Sequence, residues 1–408
     1  MSVVRGARVA TCFLPVVFVG ACATANAVFA PPPPAAPSEP PGIERAAFVV
    51  RVGSDTVAVE QFTRTSDRIE GRQVVRTPRL QVREYAANLA PDGAISRFTL
   101  TVREPAAPEP VLRGVVEYRS VDARVEVTRD SRATTQSVPI RAGAIPSLSY
   151  ALGLYDALLR WFWPRPASSV ETSLIGLAPA AASPVAVRRS GADAAIVVAP
   201  EGESRVRLAS DGRIVDWNGV GSSLNIVAQR TGPLDFDALA SDFAARELAG
   251  HGLGTLSPAD SVRATVMGAH IAIDYGRPAR RGRVIFGNIV PWSRVWRTGA
   301  GAATGLRTDR DLVIGGARVP AGIYTLWTIP TPTAWTLIVS RETGAEATYD
   351  PARDLARIPM LRETLPNPLE RFTIGIDVGV DPQADGTLWM GWGDTRASVP
   401  FRVLRRSR

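Results

Sequence analysis

Short runs in which apolar and polar residues alternate make up most of this chain. Within residues 46–230 such runs recur at 74–85, 95–102, 111–127, 194–198, 204–208 and 224–228. Successive side chains of a β-strand point to opposite faces of its sheet, so a period of two places one face on a core and the other in water. Asp92-Gly93 and Asp211-Gly212 are typical hairpin turns between such runs. The pattern predicts a mostly β protein with an antiparallel sheet in its N-terminal half.

One apolar segment, residues 148–163, interrupts the alternation. It follows Pro146-Ser147, ends before Pro164 and contains only two charged residues, Asp156 and Arg160. A helix that is apolar nearly all round is usually buried. We therefore expect one internal helix packed in the concave side of a curved antiparallel sheet. This arrangement resembles, at the level of fold alone, the lipoprotein-carrier fold of the bacterial periplasm, in which such a helix would act as a plug or lid over a lipid-sized cavity.

The start of the chain has the sequence features of an export signal. A basic beginning is followed by the short apolar run Phe13–Val19, which is too short to span a bilayer. Two cleavage sites compete. Val19-Gly20-Ala21-Cys22 resembles a lipobox and would make Cys22 the lipidated first residue of the mature chain, whereas Ala25-Asn26-Ala27 fits ordinary signal peptidase and would give a soluble protein.

Residues 31–41 contain seven prolines and read PPPPAAPSEPP. Such a run adopts extended polyproline II structure and suits a spacer. We predict a signal segment at 1–21 and a proline-rich tether at 22–44. The expected location is the cell envelope, in the periplasm or on the periplasmic face of a membrane, with the membrane as a partner through a lipid on Cys22.

We expect two β-rich domains beyond the tether. The first covers 45–232 and contains the internal helix, a helical linker follows at 233–254, and the second covers 255–408. The C-terminal part alternates in GIYTLWTIP, TAWTLIVS and LWMGWG and holds six of the nine tryptophans. Prolines at strand ends cost no ladder hydrogen bond. Short alternating strands with this punctuation predict an antiparallel β-sandwich.

Longer motifs in the same part carry a family resemblance. They are Ile273-Asp274-Tyr275-Gly276-Arg277-Pro278, Ile285-Phe286-Gly287, Val295-Trp296-Arg297-Thr298-Gly299-Ala300 and Pro320-Ala321-Gly322-Ile323-Tyr324. With them, about a third of the chain resembles the bacterial family called domain of unknown function 2911. The resemblance implies an envelope or secreted protein and no particular activity. Where the family commonly has Asn-Glu after Thr-Gly-Ala, this chain has Gly301-Ala302, so an acidic site residue there would be lost.

Composition excludes several classes of function. All 47 basic residues are arginine, and arginines such as Arg51, Arg64 and Arg68 are spaced singly between apolar and acidic residues despite a pI near 10.2, which argues against a nucleic-acid partner. Without lysine there is no Walker A loop and no Schiff base. The only histidines, His251 and His270, do not form a metal-binding motif, and no G-x-S-x-G elbow occurs. We therefore predict no catalytic residue, no metal and no cofactor.

One surface remains as a candidate binding site. Tyr275 and Trp296 supply rings, while Arg277, Arg283 and Arg297 supply cations able to hold an anionic or sugar-like group. The alternative is that the arginines bridge sheet edges through carbonyls and carboxylates and that the tryptophans form the core.

The sequence thus favours a non-catalytic envelope lipoprotein, a structural or binding module holding an apolar or anionic ligand such as a lipid or glycan. The alternative is a carbohydrate-active or other hydrolytic enzyme that uses carboxylates of the C-terminal domain. Asp309 and Asp311 are examples, although acidic residues are also expected in turns for capping reasons.

Overall fold

The computed structural model describes residues 42–404, apart from 106, 221, 223, 346 and 380. These residues belong to one compact unit that begins at Gly42. The predicted signal segment, Cys22 and nearly all of the proline-rich tether lie outside the described residues. In the part that is described, no helix is long and apolar enough to cross a bilayer.

Fifteen strands of this region form one sheet. They are β1 (Glu44–Val52), β2 (Asp55–Arg64), β3 (Arg68–Val75), β4 (Gln81–Leu89), β5 (Ile95–Arg103), β6 (Leu112–Tyr118), β7 (Asp122–Arg129), β8 (Arg132–Pro139), β9 (Ile145–Pro146), β10 (Ser169–Leu177), β11 (Ala180–Arg189), β12 (Ala194–Ala199), β13 (Gly202–Leu208), β14 (Ile214–Asn218) and β15 (Val227–Thr231). Their order is β8-β7-β6-β5-β4-β3-β2-β1-β15-β14-β13-β12-β11-β10-β9. Neighbours are antiparallel except β9 and β10.

The sheet curls until its two ends approach each other. Residues 177–180, at the β10–β11 hairpin, line the same hollow as Val125 and Val127 of β7. A Cβ atom placed on Gly114 of β6 would lie 2.3 Å from Leu177 Cδ2, so the hairpin packs directly over β6. The predicted curved antiparallel sheet is confirmed.

Helix α1 (Leu152–Phe162) lies inside this curl, as predicted. Most of its residues are buried, namely Leu152, Gly153, Leu154, Asp156, Ala157, Leu158, Leu159, Trp161 and Phe162. The helix begins four residues later than the predicted 148. Tyr150 has a φ of 66°, in the left-handed region, so the helix cannot include it.

The first backbone N–H groups of α1 are capped by a distant strand. The residue at the N-cap, Ala151, has no side-chain acceptor. The buried carboxylate of Glu60 on β2 accepts instead from the Gly153 amide at 2.9 Å and from the Tyr85 hydroxyl at 2.6 Å. Gly153 permits this approach, because a Cβ there would lie 2.7 Å from the Tyr85 hydroxyl oxygen. A helix end buried without such partners would be strongly destabilised.

The middle and end of α1 are held by buried ion pairs. Asp156 is fully buried and accepts from the Ile214 amide at 2.9 Å and from Arg230 Nη1 at 3.0 Å. Arg160 Nη1 lies 2.6 Å from a carboxylate oxygen of Glu44, which also pairs with Arg230. Every charge on the helix therefore has a partner on the sheet.

Helix α2 (Phe236–Leu248) covers the opposite face of the sheet. Asp235 caps it, accepting from the Ala238 amide at 3.0 Å. Phe236 and Phe243 form a small core with Val59, Val74 and Leu80. Because side chains alternate along β2, Val59 faces α2 whereas Glu60 faces α1.

The remaining strands form a second, antiparallel sheet in the C-terminal part. They are β16 (Ala259–Val266), β17 (Ala269–Gly276), β18 (Thr304–Thr308), β19 (Leu312–Ile314), β20 (Ala317–Val319), β21 (Gly322–Pro330), β22 (Trp335–Ser340), β23 (Asp354–Val378) and β24 (Gly386–Val403), with a 3₁₀ turn at Pro351–Arg353. Their order is β16-β17-β18-β21-β22-β23-β24-β19-β20. β23 pairs with β22 through its first residues and with β24 through the rest, so it passes from one layer to the other. A core rich in aromatic and aliphatic residues lies between the layers, as predicted for a sandwich.

The two sheets meet at the tip of the β1–β2 hairpin. Ser54 donates its amide to the Arg281 carbonyl at 3.0 Å, and the Arg281 guanidinium pairs with Asp55. The Arg281 side chain is only 8% exposed, whereas the Asp55 side chain is 33% exposed, so the ion pair is buried on the arginine side.

The cap on α1 makes stability depend on pH. Burial, opposed by the hydrogen bonds from Tyr85 and the helix backbone, raises the pKa of Glu60 from 4.5 to about 7. The folded state therefore holds the proton more tightly than the unfolded state. The stabilisation is fully present below pH 4.5 and is lost as the pH rises through 7. We expect the free energy of unfolding, relative to that of Glu60→Gln, to fall by about 3 kcal/mol between pH 4.5 and pH 8.

Urea denaturation of both proteins across this pH range measures the difference. Glu70→Gln is the matched control, because Glu70 is an exposed carboxylate on β3 that pairs only with an exposed arginine. Its effect should stay within about 1 kcal/mol at every pH. The prediction would be contradicted if the difference in unfolding free energy between the wild type and Glu60→Gln did not change with pH.

Candidate functional site

A cleft of about 650 Å³ opens on the concave side of the first sheet. Strands β4, β5 and β6 form one wall, the segment Ser147–Ser149 leads from it into α1, and the β10–β11 hairpin forms the other wall. Its apolar lining includes Leu100, Val102, Leu112, Leu148, Leu177 and Pro179, and its polar lining includes Gln81, Arg83, Glu104, Arg129, Asp130 and Ser149. This volume lies within the range of small-molecule sites.

Arg83 is the partly buried cation of the cleft. Its guanidinium donates to Gln81 Oε1 at 3.0 and 3.3 Å, to Gln73 Oε1 at 3.2 Å and to the Ser149 carbonyl at 3.2 Å. These acceptors are all neutral. Burial lowers the pKa of Arg83 to about 10, so the side chain stays charged at neutral pH.

Among residues 42–404 as described, no carboxylate lies within ion-pairing distance of Arg83. Glu104 is linked to Arg83 indirectly, through Gln81, whose side-chain amide donates a hydrogen bond to Glu104 at 3.2 Å. A guanidinium has five N–H groups, and the four hydrogen bonds above leave one on Nη2. Arg83 therefore has both a donor and an uncompensated charge beside an open cleft.

The position of Arg83 follows from the register of the sheet. Glu60, Gln73 and Arg83 lie directly opposite one another on β2, β3 and β4. The same row continues with Val102 on β5 and Leu112 on β6. From β2 to β6, this row therefore carries a carboxyl group, then an amide, then the Arg83 guanidinium and finally two apolar side chains.

The backbone beside Arg83 is held in an unfavourable conformation. Tyr150 follows Ser149 and takes a left-handed φ of 66°, which a tyrosine rarely adopts. Burial also raises the pKa of its hydroxyl, an effect that the nearby charge of Arg83 opposes. Such strain persists only where the surroundings enforce it, and it is concentrated at functional sites.

Tyr275 and Trp296 are the aromatic residues of the binding site predicted from the sequence. Both pack against the core of the C-terminal sheet. Tyr275 is 5% exposed and meets Phe372 edge to face at 5.7 Å between ring centroids. Trp296 meets the same ring at 5.0 Å and stacks on Trp392 at 6.1 Å. The indole N–H of Trp296 donates to the Gly299 carbonyl at 3.1 Å. Both rings pack internally.

Arg277 lies close to these rings but is occupied by the protein itself. It donates to Asp260 Oδ2 at 3.1 Å, to the Phe372 carbonyl at 3.2 Å and to the Thr373 hydroxyl at 3.1 Å. Asp260 also accepts from the Tyr275 hydroxyl. Tyr275, Arg277 and Trp296 are therefore brought together around Phe372, as parts of a packed cluster.

Arg283 and Arg297 belong to separate loops. Arg283 donates to the carbonyls of Ala279 and Arg280 at 2.7 and 3.0 Å, and burial lowers its pKa. Arg297 donates to the carbonyl of Gly301. Both guanidinium groups donate to backbone carbonyls within their own loops.

The carboxylates considered for hydrolysis are engaged as turn residues. Asp309 accepts from the backbone and the ring of His270, and these hydrogen bonds lower its pKa. Asp311 accepts from the Ala321 amide and from Arg318, which lower its pKa as well. A glycosidase acid needs a raised pKa, so neither residue fits that role. In the described part of the chain, no group of three or more potential metal ligands occurs.

Packing and surface roles in the C-terminal part of the chain are separable by mutation. Trp296→Ala removes a ring that contacts four other aromatic side chains and should cost about 3 kcal/mol of unfolding free energy. Arg297→Ala removes an exposed side chain and should cost about 1 kcal/mol or less. Urea denaturation of the two variants tests this assignment, and equal costs would contradict it.

Distant likenesses to solved structures include the two that follow. A DUF1089 family protein from Pseudomonas aeruginosa is 13% identical, with a TM-score of 0.33, and the match covers 41% of this chain and 92% of that one. A protein of the domain of unknown function DUF1849 from Brucella abortus, described as β-barrel-like, is 12% identical, with a TM-score of 0.31, and the match covers 47% of this chain and 96% of that one.

No curated protein matches the chain. A family model matches the C-terminal part, where the sequence motifs placed the resemblance. That resemblance is confirmed: residues 257–401 match the family described as Protein of unknown function (DUF2911).

Proposed function

We propose that this chain is a non-catalytic binding module of the cell envelope that holds an anionic ligand in the cleft beside Arg83. The observation that carries the proposal is the state of Arg83. It is partly buried, bonded only to neutral acceptors and adjacent to a cleft of about 650 Å³.

Burying the charge of Arg83 costs free energy that a bound anion would offset. A cation withdrawn from water loses solvation, and neutral hydrogen bonds restore only part of that free energy. An anion in the cleft supplies the missing opposite charge and accepts the remaining N–H of Arg83. The hydrogen bond is then charge-assisted, and such bonds are shorter and stronger than neutral ones.

The envelope location is the second part of the proposal. The basic start, the short apolar run and the lipobox-like Val19-Gly20-Ala21-Cys22 support export and lipidation at Cys22. The proline-rich tether behind Cys22 would hold the folded unit away from the membrane surface. The cleft would then be exposed to ligands of the periplasm.

Replacing Arg83 tests the binding proposal. We expect acetate and methyl phosphate, titrated by NMR, to bind the wild type and to bind Arg83→Gln at least about tenfold more weakly, because one charged hydrogen bond is lost. Arg113→Gln is the matched control, since Arg113 is an exposed arginine on the other face of β6. It should bind like the wild type.

Unchanged binding in folded Arg83→Gln overturns the proposal. If that variant does not fold, Ala181→Trp tests the binding site instead. Ala181 is an exposed residue that lines the cleft, so an indole at this position would fill the cleft. Retained binding by Ala181→Trp would then reject the cleft as the site.

Replacing Cys22 tests the envelope proposal. Cys22→Ser should release the protein from the membrane fraction, and the intact mass of the wild type should include a lipid on Cys22. A wild-type chain that begins at Val28 would show ordinary signal cleavage and reject the anchor.

A further inference from the structure

The wall of the cleft next to Arg83 is apolar across the width of two strands, β5 and β6. Val102 and Leu112 lie directly opposite Arg83 in sheet register, one strand and two strands away. Neighbouring strands are 4.7–4.9 Å apart, so this apolar path extends about 10 Å from the Arg83 backbone. Both residues line the cleft with only 6% and 9% of their surface exposed. An occupant would follow a strip with a charge at one end.

The β10–β11 hairpin lies over β6 beside this strip. Leu177 projects from the β10–β11 hairpin over Gly114 of β6, where any side chain would collide with it. Gly114 is paired with Leu100 on β5, which also lines the cleft. Leu177 and Gly114 are in direct contact, so an apolar group lying on Val102 and Leu112 would pack beside this contact and be buried on more than one side.

The charges of the cleft limit the head group. Arg83 and Arg129 are its cations, and Glu104 and Asp130 are its anions, so the formal charges of the lining cancel. A polyanion would meet two carboxylates as well as the guanidinium groups. A single negative charge placed at Arg83 matches one partly buried cation and brings less repulsion from Glu104 and Asp130 than a polyanion would.

We infer that the ligand is a single-chain amphiphile with one anionic head group, held head-first at Arg83 with its apolar chain across β5 and β6. This inference rests on the proposed function and adds the chemical class of the ligand. A carboxylate or a monoalkyl phosphate satisfies the head-group requirement, and the apolar part extends about 10 Å.

Chain length is the variable that tests the inference. Acetate, hexanoate and decanoate are titrated into the full chain by isothermal calorimetry, with decanol as the neutral probe. Each buried methylene should lower the Kd by up to about fourfold until the chain spans the strip. Decanol should bind at least about tenfold more weakly than decanoate, because it lacks the charge.

Two variants separate the head from the tail. Arg83→Gln should weaken all the anions by the same factor and leave the dependence on chain length intact. Val102→Thr, a nearly isosteric polar change on the strip, should weaken decanoate and not acetate. Val115→Thr, on the other face of β6, is the matched control and should change neither.

The outcomes distinguish this inference from the function on which it rests. If all the anions bind with the same Kd and all depend on Arg83, the amphiphile is rejected and the anion site stands. If decanol binds as tightly as decanoate, or if no anion binds, the anion site itself is rejected.

Discussion

The structure depends on how the polar groups of a buried helix are satisfied. Helix α1 is enclosed by the curled sheet, so its first N–H groups and the fully buried Asp156 need partners within the protein. Glu60 caps its first turn from β2, and Asp156 pairs with Arg230 from β15. Removing one partner of such an interaction leaves a buried charge or an orphan donor, which costs far more than the interaction gains. The helix and the strands that carry Glu60 and Arg230 therefore depend on each other for stability.

The cleft is a consequence of the same constraint. The chain must enter the concave side before α1 begins, and the segment that does so is fixed by Gln73 and Arg83, which both donate to the Ser149 carbonyl. Tyr150 turns the chain in a left-handed conformation into the first helical turn. Arg83 is thereby kept beside the entry segment and away from acidic side chains. Its role in holding that segment and its proposed role in binding an anion use different N–H groups.

The sequence predicted the fold well because the fold follows from local patterns. Period-two alternation identified the sheets, and the apolar segment identified the internal helix. The start of that helix was placed four residues early because a positive φ at Tyr150 leaves no mark in the pattern. Trp296 and Tyr275 were noticed as rings, yet nothing in one sequence reveals that both surround Phe372, almost a hundred residues beyond Tyr275.

The candidate site was missed for a similar reason, although one signal was present. In β4, Arg83 alternates in phase with Tyr85, Ala87 and Leu89, which are all buried, so the pattern itself places an arginine on the core face. The β10–β11 hairpin that closes the cleft is nearly a hundred residues away in the chain, and only the curl of the sheet brings it there.

Native mass spectrometry of the protein purified from its own envelope fraction tests the central claim most directly. The account predicts that the wild type retains one single-chain amphiphile with one anionic group and that Arg83→Gln is empty. The same molecule retained equally by both proteins, or a retained ligand without an anionic group, would contradict it.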